Sequence, residues 1–251
     1  MISLRAVIGA AAMTVAGQIT AGALAAQSVS PPIAEYQERA RSSFQLHNAS
    51  IFPITVVLEV RGFSISDAGE VSDVPLDTSR IHVKLSEMSF RLPPRGTRTV
   101  FYEATSDSLP AWFNILSALS GARTENGLSV RILLPHVVYL NQKRALRREE
   151  VAIRAFEFDP RAGKARVQLE NLGPNLGRVY QLTVGDGHAT SQPAGGFPLL
   201  PGRRRWSEVD WPAATAPKRL TLRFSRFTID TALTPSPVSL AADSAAATRK
   251  P

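Results

Sequence analysis

Residues able to do chemistry are few in this chain, and their spacing argues against catalysis. The four histidines, His47, His82, His136 and His188, stand singly, with no HExxH or His-x-His spacing to hold zinc. There is no cysteine, so neither a thiolate nucleophile nor a disulfide is available, and any core must hold by packing alone. No Gly-x-Ser-x-Gly elbow occurs, and Gly185-Asp186-Gly187-His188 lacks the spacing of a phosphate-cradling loop. Asp67, Glu70 and Asp73 lack the spacing of an EF-hand and are read as solubilising an edge loop. The chain is therefore read as non-enzymatic, with no catalytic, cofactor or metal site. One cation is unusually placed. Residues 127–140 read GLSVRILLPHVVYL, in which Leu128, Val130, Ile132 and Leu134 alternate with Ser129, Arg131 and Leu133. A guanidinium in mid-strand must reach solvent or meet a carboxylate, since an isolated charge is costly to bury. Arg131 is thus a candidate anchor for an anionic group.

Stretches of the same period-2 kind recur along the chain. Ser43 to Leu46 lead into His47-Asn48; Ile54, Val56, Leu58 and Val60 share a face; residues 81–85 alternate again, and Pro93-Pro94-Arg95-Gly96 breaks the chain before the next strand. A polar segment, 141–150, has the charge and patternless character of a linker. Beyond it Ala165, Val167 and Leu169, then Tyr180, Leu182 and Val184, then Leu220, Leu222 and Phe224 form further faces, with turns at Asn171-Leu172-Gly173-Pro174 and Pro201-Gly202. Repeated strands with Gly, Pro and Asn punctuation predict an all-β protein, and the length suits two sandwiches of immunoglobulin size. Trp112, Trp206 and Trp211 are expected to pack cores or sheet ends, the alternative being an exposed carbohydrate platform.

The N-terminus has a positive start at Arg5, an alanine-rich apolar run and Ala23-Leu24-Ala25, the pattern of a secretory signal peptide. Its removal takes one Arg and no acid, lowering the formal charge from +8 to +7. The remaining charge is spread out. The run 143–148 and Arg203-Arg204-Arg205 are read as solvated loops and not as a nucleic-acid footprint. No later stretch is apolar enough to span a bilayer, so the mature chain is expected outside the membrane, and the Pro/Ser/Ala-rich end is expected to be disordered. The organisation expected is a signal peptide, 1–26, two immunoglobulin-like domains, 27–142 and 143–232, and a tail, 233–251. The Asn48-Ala49-Ser50 sequon has meaning only in a glycosylating pathway.

The order of VSPPIAEY, FQLHNAS, FRLPPRGTRTV, AWFNI and RILLP, followed by KARVQLENLGPNLGRVYQLTV and PLLPGRRRWSEVDWP, resembles that of the periplasmic pilus-assembly chaperones. These are the PapD-like family, two immunoglobulin-like domains set at an angle, and RILLP is similar to the pattern of their archaic or alternative branch. The resemblance implies a periplasmic chaperone that lends a strand to an incomplete pilin or fimbrial subunit and delivers it to an outer-membrane usher. The physical basis is β-augmentation of an open groove and edge. It implies that Leu128, Val130, Ile132 and Leu134 form the donor strand, and that Arg131 holds the carboxylate at the subunit's C-terminus from the cleft between the domains. Family members carry a second cation shortly after a Ser-Pro pair; Ile33 stands here instead, leaving Arg39 or Arg41 as substitutes. The segment SGARTENG, 120–127, reads as a polar loop that would shorten the donor strand. The contrasting reading is a secreted two-domain protein- or carbohydrate-binding or adhesion module, and the discriminator is whether the strand around Arg131 is an exposed edge open to the cleft between the domains.

Overall fold

The computed structural model describes residues 27–123 and 129–233. In the first half the alternation becomes ten strands. They are β1 (Ser28–Ser30), β2 (Ile33–Gln37), β3 (Arg39–His47), β4 (Ile54–Ile65) and β5 (Val71–Val74). The chain continues through β6 (Ile81–Leu85), β7 (Ser89–Leu92), β8 (Thr97–Ser106), β9 (Ala111–Arg123) and β10 (Ser129–Asn141). Two sheets result, ordered β1-β3-β8-β6 and β2-β10-β9-β4-β5, with β7 paired to β4. Every second residue turns inward: Ala40, Phe44 and Leu46 of β3 and Val100 and Tyr102 of β8 meet Val56 and Leu58 of β4 and Phe113, Ile115 and Leu119 of β9. Burying each large side chain contributes about 1.5–3 kcal/mol, and this packing stands in for the absent disulfides.

The second half repeats the plan with β11 (Val151–Asp159), β12 (Lys164–Asn171), β13 (Gly177–Val179) and β14 (Gln181–Gly185). It ends with β15 (Phe197–Leu199), β16 (Arg204–Asp210), β17 (Arg219–Arg223) and β18 (Thr228–Ala232). The sheets β11-β12-β16 and β14-β17-β18, with the pair β13-β15, enclose Val167, Leu169, Leu182, Val184, Leu220 and Leu222. Trp211 is wholly buried there and donates Nε1–H to the Thr215 carbonyl at 2.7 Å. The architecture is all-β, two immunoglobulin-like sandwiches. No helix among the described residues is long and apolar enough to cross a membrane.

Three expectations are corrected. Residues 120–123 are not loop but the end of β9: Ser120 pairs with Thr55, and Ala122 and Arg123 pair with Val130 and Ser129. A bulge takes up the polar residues, since β9 takes three steps, Leu119 to Ala122, against two on β10, and Gly121 supplies φ +88°. The segment 141–150 is not a loose linker. Asn141 ends β10, Leu146 is buried in the second core, and the Glu150 carboxylate accepts the Arg147 backbone N–H at 2.8 Å and its guanidinium at 3.0 Å. Those bonds, the backbone one foremost, hold the Glu150 carboxyl below the usual carboxylate range. Nor is 203–205 a solvated loop: Arg204 and Arg205 lie on β16.

Each domain is closed by the same corner. Asn48, fully buried after β3, donates Nδ2–H to the carbonyls of Phe52 (2.8 Å) and Pro93 (2.9 Å) and accepts from the Ser50 N–H (3.1 Å) and hydroxyl (2.7 Å). Asn171, fully buried at the end of β12, donates to Asn175 (2.7 Å) and Leu199 (3.0 Å) and accepts from the Gly173 N–H (2.9 Å). The backbone N–H of each asparagine bonds to a Pro-containing turn, at Gly96 O and Arg203 O. The left-handed position of that turn is Gly202 (φ +63°) in the second domain and Arg95 (φ +56°) in the first. A side chain there clashes with its own backbone, which glycine avoids.

His136 pins β10 from below. It is buried; its Nδ1 donates to the Pro31 carbonyl at 2.7 Å and its Nε2 accepts from the Tyr102 hydroxyl at 3.0 Å, which in turn accepts from Tyr36 at 2.9 Å. The ring stacks on Phe44 at 4.7 Å between centroids. Burial pushes His136 below its ordinary value, opposed by the Pro31 bond. Burial, with Tyr36 behind it, pushes the Tyr102 hydroxyl up, so it stays a donor.

Two predictions come from these contacts. Asn48→Ala and Asn171→Ala each orphan buried backbone groups and are expected to lower stability by about 1–3 kcal/mol per group left unpaired, whereas Arg95→Gly, copying Gly202, raises it by up to about 1 kcal/mol; urea midpoints read both. The unfolded chain takes a proton at His136 near the ordinary value of 6.5 and the folded chain only below it. Stability from this residue is therefore level above that pH, falls as pH drops through it, and levels again below the depressed value. His136→Gln removes that slope in urea titrations between about pH 8 and 5, the range that brackets an ordinary histidine.

Candidate functional site

The edge of β10 is half covered, and the cause is a strand that changes sheets. β1 pairs antiparallel with β3, from Ser28 opposite His47 to Ser30 opposite Gln45. After Pro31-Pro32 the chain rejoins the structure as β2 in the other sheet, parallel to β10, from Ile33 beside Val137 to Gln37 beside Asn141. From 131 to 135, no strand among the described residues pairs with β10 on that side. The parity is fixed by the Val137 N–H, which donates to Pro32 O at 2.8 Å, and by Asn141 O, which accepts from Glu38 N at 2.7 Å. Odd-numbered residues thus direct their backbone groups to this edge, and alternation carries the pattern back to Pro135, Leu133 and Arg131.

Side chains divide by the same alternation. Ile132 and Leu134 are half-buried against the first core, so two of the expected donor residues pack on the protein itself. The opposite face carries Arg131 and Leu133, both exposed, Leu133 at 55%. Leu128 and the side chain of Val130 lie outside the described residues. Leu133 continues across the sheet in register with Ala118 of β9 and Val57 of β4, the latter 49% exposed. Pro135 stands beside Leu116 and Glu59, Val137 beside Asn114 and Arg61, and Tyr139 beside Trp112. This outer face therefore runs from an exposed apolar row to the contact between the domains.

At that contact Tyr139, Phe63, Leu176 and Leu200 are buried together, with Val137 and Trp112 packed on them. Trp112 donates Nε1–H to Phe63 O at 2.9 Å. Arg178 of β13 lies over the Tyr139 ring, 4.8 Å from its centroid, forms an ion pair with Glu35 of β2 and donates to Gly196 O at 2.5 Å. Burial pushes the Tyr139 hydroxyl up, partly offset by Arg178. Arg205 stacks over Phe197 at 4.7 Å, and burial lowers its pKa. The Trp206 N–H reaches across to Asp67 O at 2.7 Å, so the acidic loop docks a domain. Glu35, Lys143, Arg144, Arg178, Tyr180 and Arg226 line a cavity of about 160 Å³ beside it.

Arg131 is not at this contact. It precedes Tyr139 by eight residues on one continuous strand, roughly 26 Å at strand rise. The substitutes for the missing first-strand cation are elsewhere too: Arg39 and Arg41 are on β3, in the other sheet, and Arg41 pairs with Glu103 at 3.2 Å. The first strand instead contributes an acid, Glu35, answered by Arg178 from the second domain. Sequence reasoning missed both, and their signal was slight: one glutamate on a short strand, one arginine after a glycine. Of the tryptophans, Trp211 fills a core and Trp112 the domain contact, while Trp206 lies beneath the Arg166 guanidinium, 4.8 Å away, on the β12–β16 surface.

Two immunoglobulin-like sandwiches joined through a buried contact, with a half-open edge strand running up to it, define the class of fold. No family model matches the chain, and no curated protein matches its sequence. Among solved structures, a chain of the Salmonella enterica SafA pilin complex with the SafB chaperone aligns over 84% of this chain and 97% of its own, at 13% identity and a TM-score of 0.53. A chain of the pre-assembly complex of CsuC with the tip subunit CsuE, from the archaic chaperone-usher Csu pili of Acinetobacter baumannii, aligns over 85% and 100%, at 12% identity and a TM-score of 0.48. The fold is that of the PapD-like pilus chaperones.

The domain contact yields a prediction of its own. Glu35→Gln leaves the nearly buried Arg178 guanidinium without its counter-charge and is expected to cost about 1.5–3 kcal/mol. Calorimetry would show a lowered or split transition; an unchanged thermogram would mean that the pair does not couple the domains.

Proposed function

We propose that this protein is a periplasmic, non-enzymatic chaperone that binds incomplete pilus subunits by lending them β10 and passes them to an outer-membrane usher. The observation that carries the reading is the edge of β10 over residues 131–135, which no strand among the described residues pairs and which lies beside an exposed apolar face. Such an edge is a liability in a free protein and a template for a partner lacking a strand. The described neighbour was seen with a pilin, which supports the same partner class here. In this reading Leu128 and Val130 extend the donated strand, Ile132 and Leu134 stiffen it from the protein's own core, and Leu133 faces the subunit. Arg131, on the same face as Leu133, takes a carboxylate or carbonyl of the bound subunit. A carboxylate reaching the domain contact would meet Arg144 and Arg226 around the cavity, since Arg178 is engaged by Glu35 and Lys143 by Glu38 at 3.5 Å.

The test is affinity purification of the tagged mature protein from its native periplasm beside Arg131→Ala, with mass spectrometry of what co-elutes. The variant is expected to keep its circular dichroism and lose roughly tenfold in recovered subunit, the scale of one charge-assisted hydrogen bond. Elution of the wild type alone from cells that express pilus-type subunits would favour a secreted binding module. Unfolding of Arg131→Ala would make the arginine structural.

A further inference from the structure

We propose that Pro135 sets where a bound partner strand must stop, and that Leu133 is the side chain the partner's groove receives, so that β10 accepts a short strand in one register. The inference rests on the strand-donation reading and specifies it. Backbone groups of β10 that face the open edge belong to odd-numbered residues, as the Val137 N–H to Pro32 O bond establishes. Residue 135 is odd, and proline has no N–H. Proline is tolerated in a sheet where the missing donor faces an unpaired edge, which is its situation here. Going along the strand, the last open donor is the Leu133 N–H and the next is that of Val137, already taken by the Pro32 carbonyl. Between them lie about 13 Å of strand with no donor for a partner. A partner carbonyl brought opposite Pro135 would be desolvated and unpaired, so pairing ends at Leu133.

The side chains sharpen the requirement. Leu133 stands 55% exposed, in register with Ala118 and Val57, and Arg131 lies one pleat away on the same face. The partner therefore needs an unpaired strand edge, one pocket of leucine size, and an acidic or carbonyl group about 7 Å from it along the strand. A longer groove built for several consecutive apolar pockets would collide with the cation on one side or run past the proline on the other.

The protein purified with its co-eluting subunit would be compared with the free protein by amide exchange followed by NMR. The amides of Arg131 and Leu133 are expected to exchange freely in the free protein and to slow at least tenfold in the complex. Those of Leu134 and His136, on the side that faces β9, should change little. Pro135→Ala supplies the missing donor, and the added amide should itself become protected in the complex. Leu133→Ala should reduce subunit recovery about tenfold with unchanged circular dichroism, whereas Leu134→Ala should lower stability. Binding without protection anywhere on β10, or no subunit at all, would overturn strand donation and this inference with it. Protection of Arg131 and Leu133 while the amide added by Pro135→Ala stays unprotected, or full recovery with Leu133→Ala, would overturn the register and leave strand donation standing. Arg131 and Leu133 already protected in the free protein would show that another part of this chain covers the edge, and would overturn the inference.

Discussion

The architecture of the first domain depends on the change of sheets at Pro31-Pro32. Had the first strand stayed with β10 throughout, the six-stranded sheet would have a complete edge; had it stayed with β3, the sheet would have an edge open along its whole length. Dividing the strand leaves β10 bonded where it nears the second domain and, among the described residues, open where it does not. The His136 bond to the Pro31 carbonyl and the Val137 bond to the Pro32 carbonyl hold the crossing in place, and Phe44 and Tyr102 close it from the opposite sheet. Burying a histidine carries a desolvation penalty, which its bonds to the Pro31 carbonyl and the Tyr102 hydroxyl offset.

The same strand serves three environments in succession. At Ile132 and Leu134 it packs on its own core; at Leu133 it faces solvent; at Val137 and Tyr139 it becomes the floor of the domain contact. The three environments share one continuously paired strand, since every residue from 132 to 140 is in register with β9. The Glu35–Arg178 pair joins the strand beside β10 to the second domain, so the open edge and the angle between the sandwiches are held by adjacent strands.

Much of this was legible in the residues, and the rest was not for physical reasons. Period-2 alternation gave the strands, and the alternation at 128–134 marked the right strand. It did not say which face looks inward at Leu133, because that residue is as hydrophobic as Ile132 beside it, and only the position of the first core decides. The segment after Leu119 read as a loop because Ser, Gly and Arg are poor strand formers singly; a bulge at Gly121 lets them finish β9. Glu150 and Leu146 looked like part of a charged linker, since a buried carboxylate that finds its own backbone donor leaves no trace in composition. The domain-contact arginines were unreadable, because their role comes from long-range partners, Glu35, Tyr139 and Phe197, that local pattern cannot place.

The twin asparagine corners bear on how the chain would reach this state. In each domain one amide side chain ties the end of an early strand to a turn more than twenty residues later, and neither corner draws a partner from the other domain. Closure of each sandwich is thus an internal affair, and the domain contact, with its Glu35–Arg178 pair and small apolar cluster, has only to join two finished bodies. A chain that folds N-terminus first as it is synthesised can therefore complete its first sandwich, with this edge of β10 already formed, before the residues that will brace it have arrived.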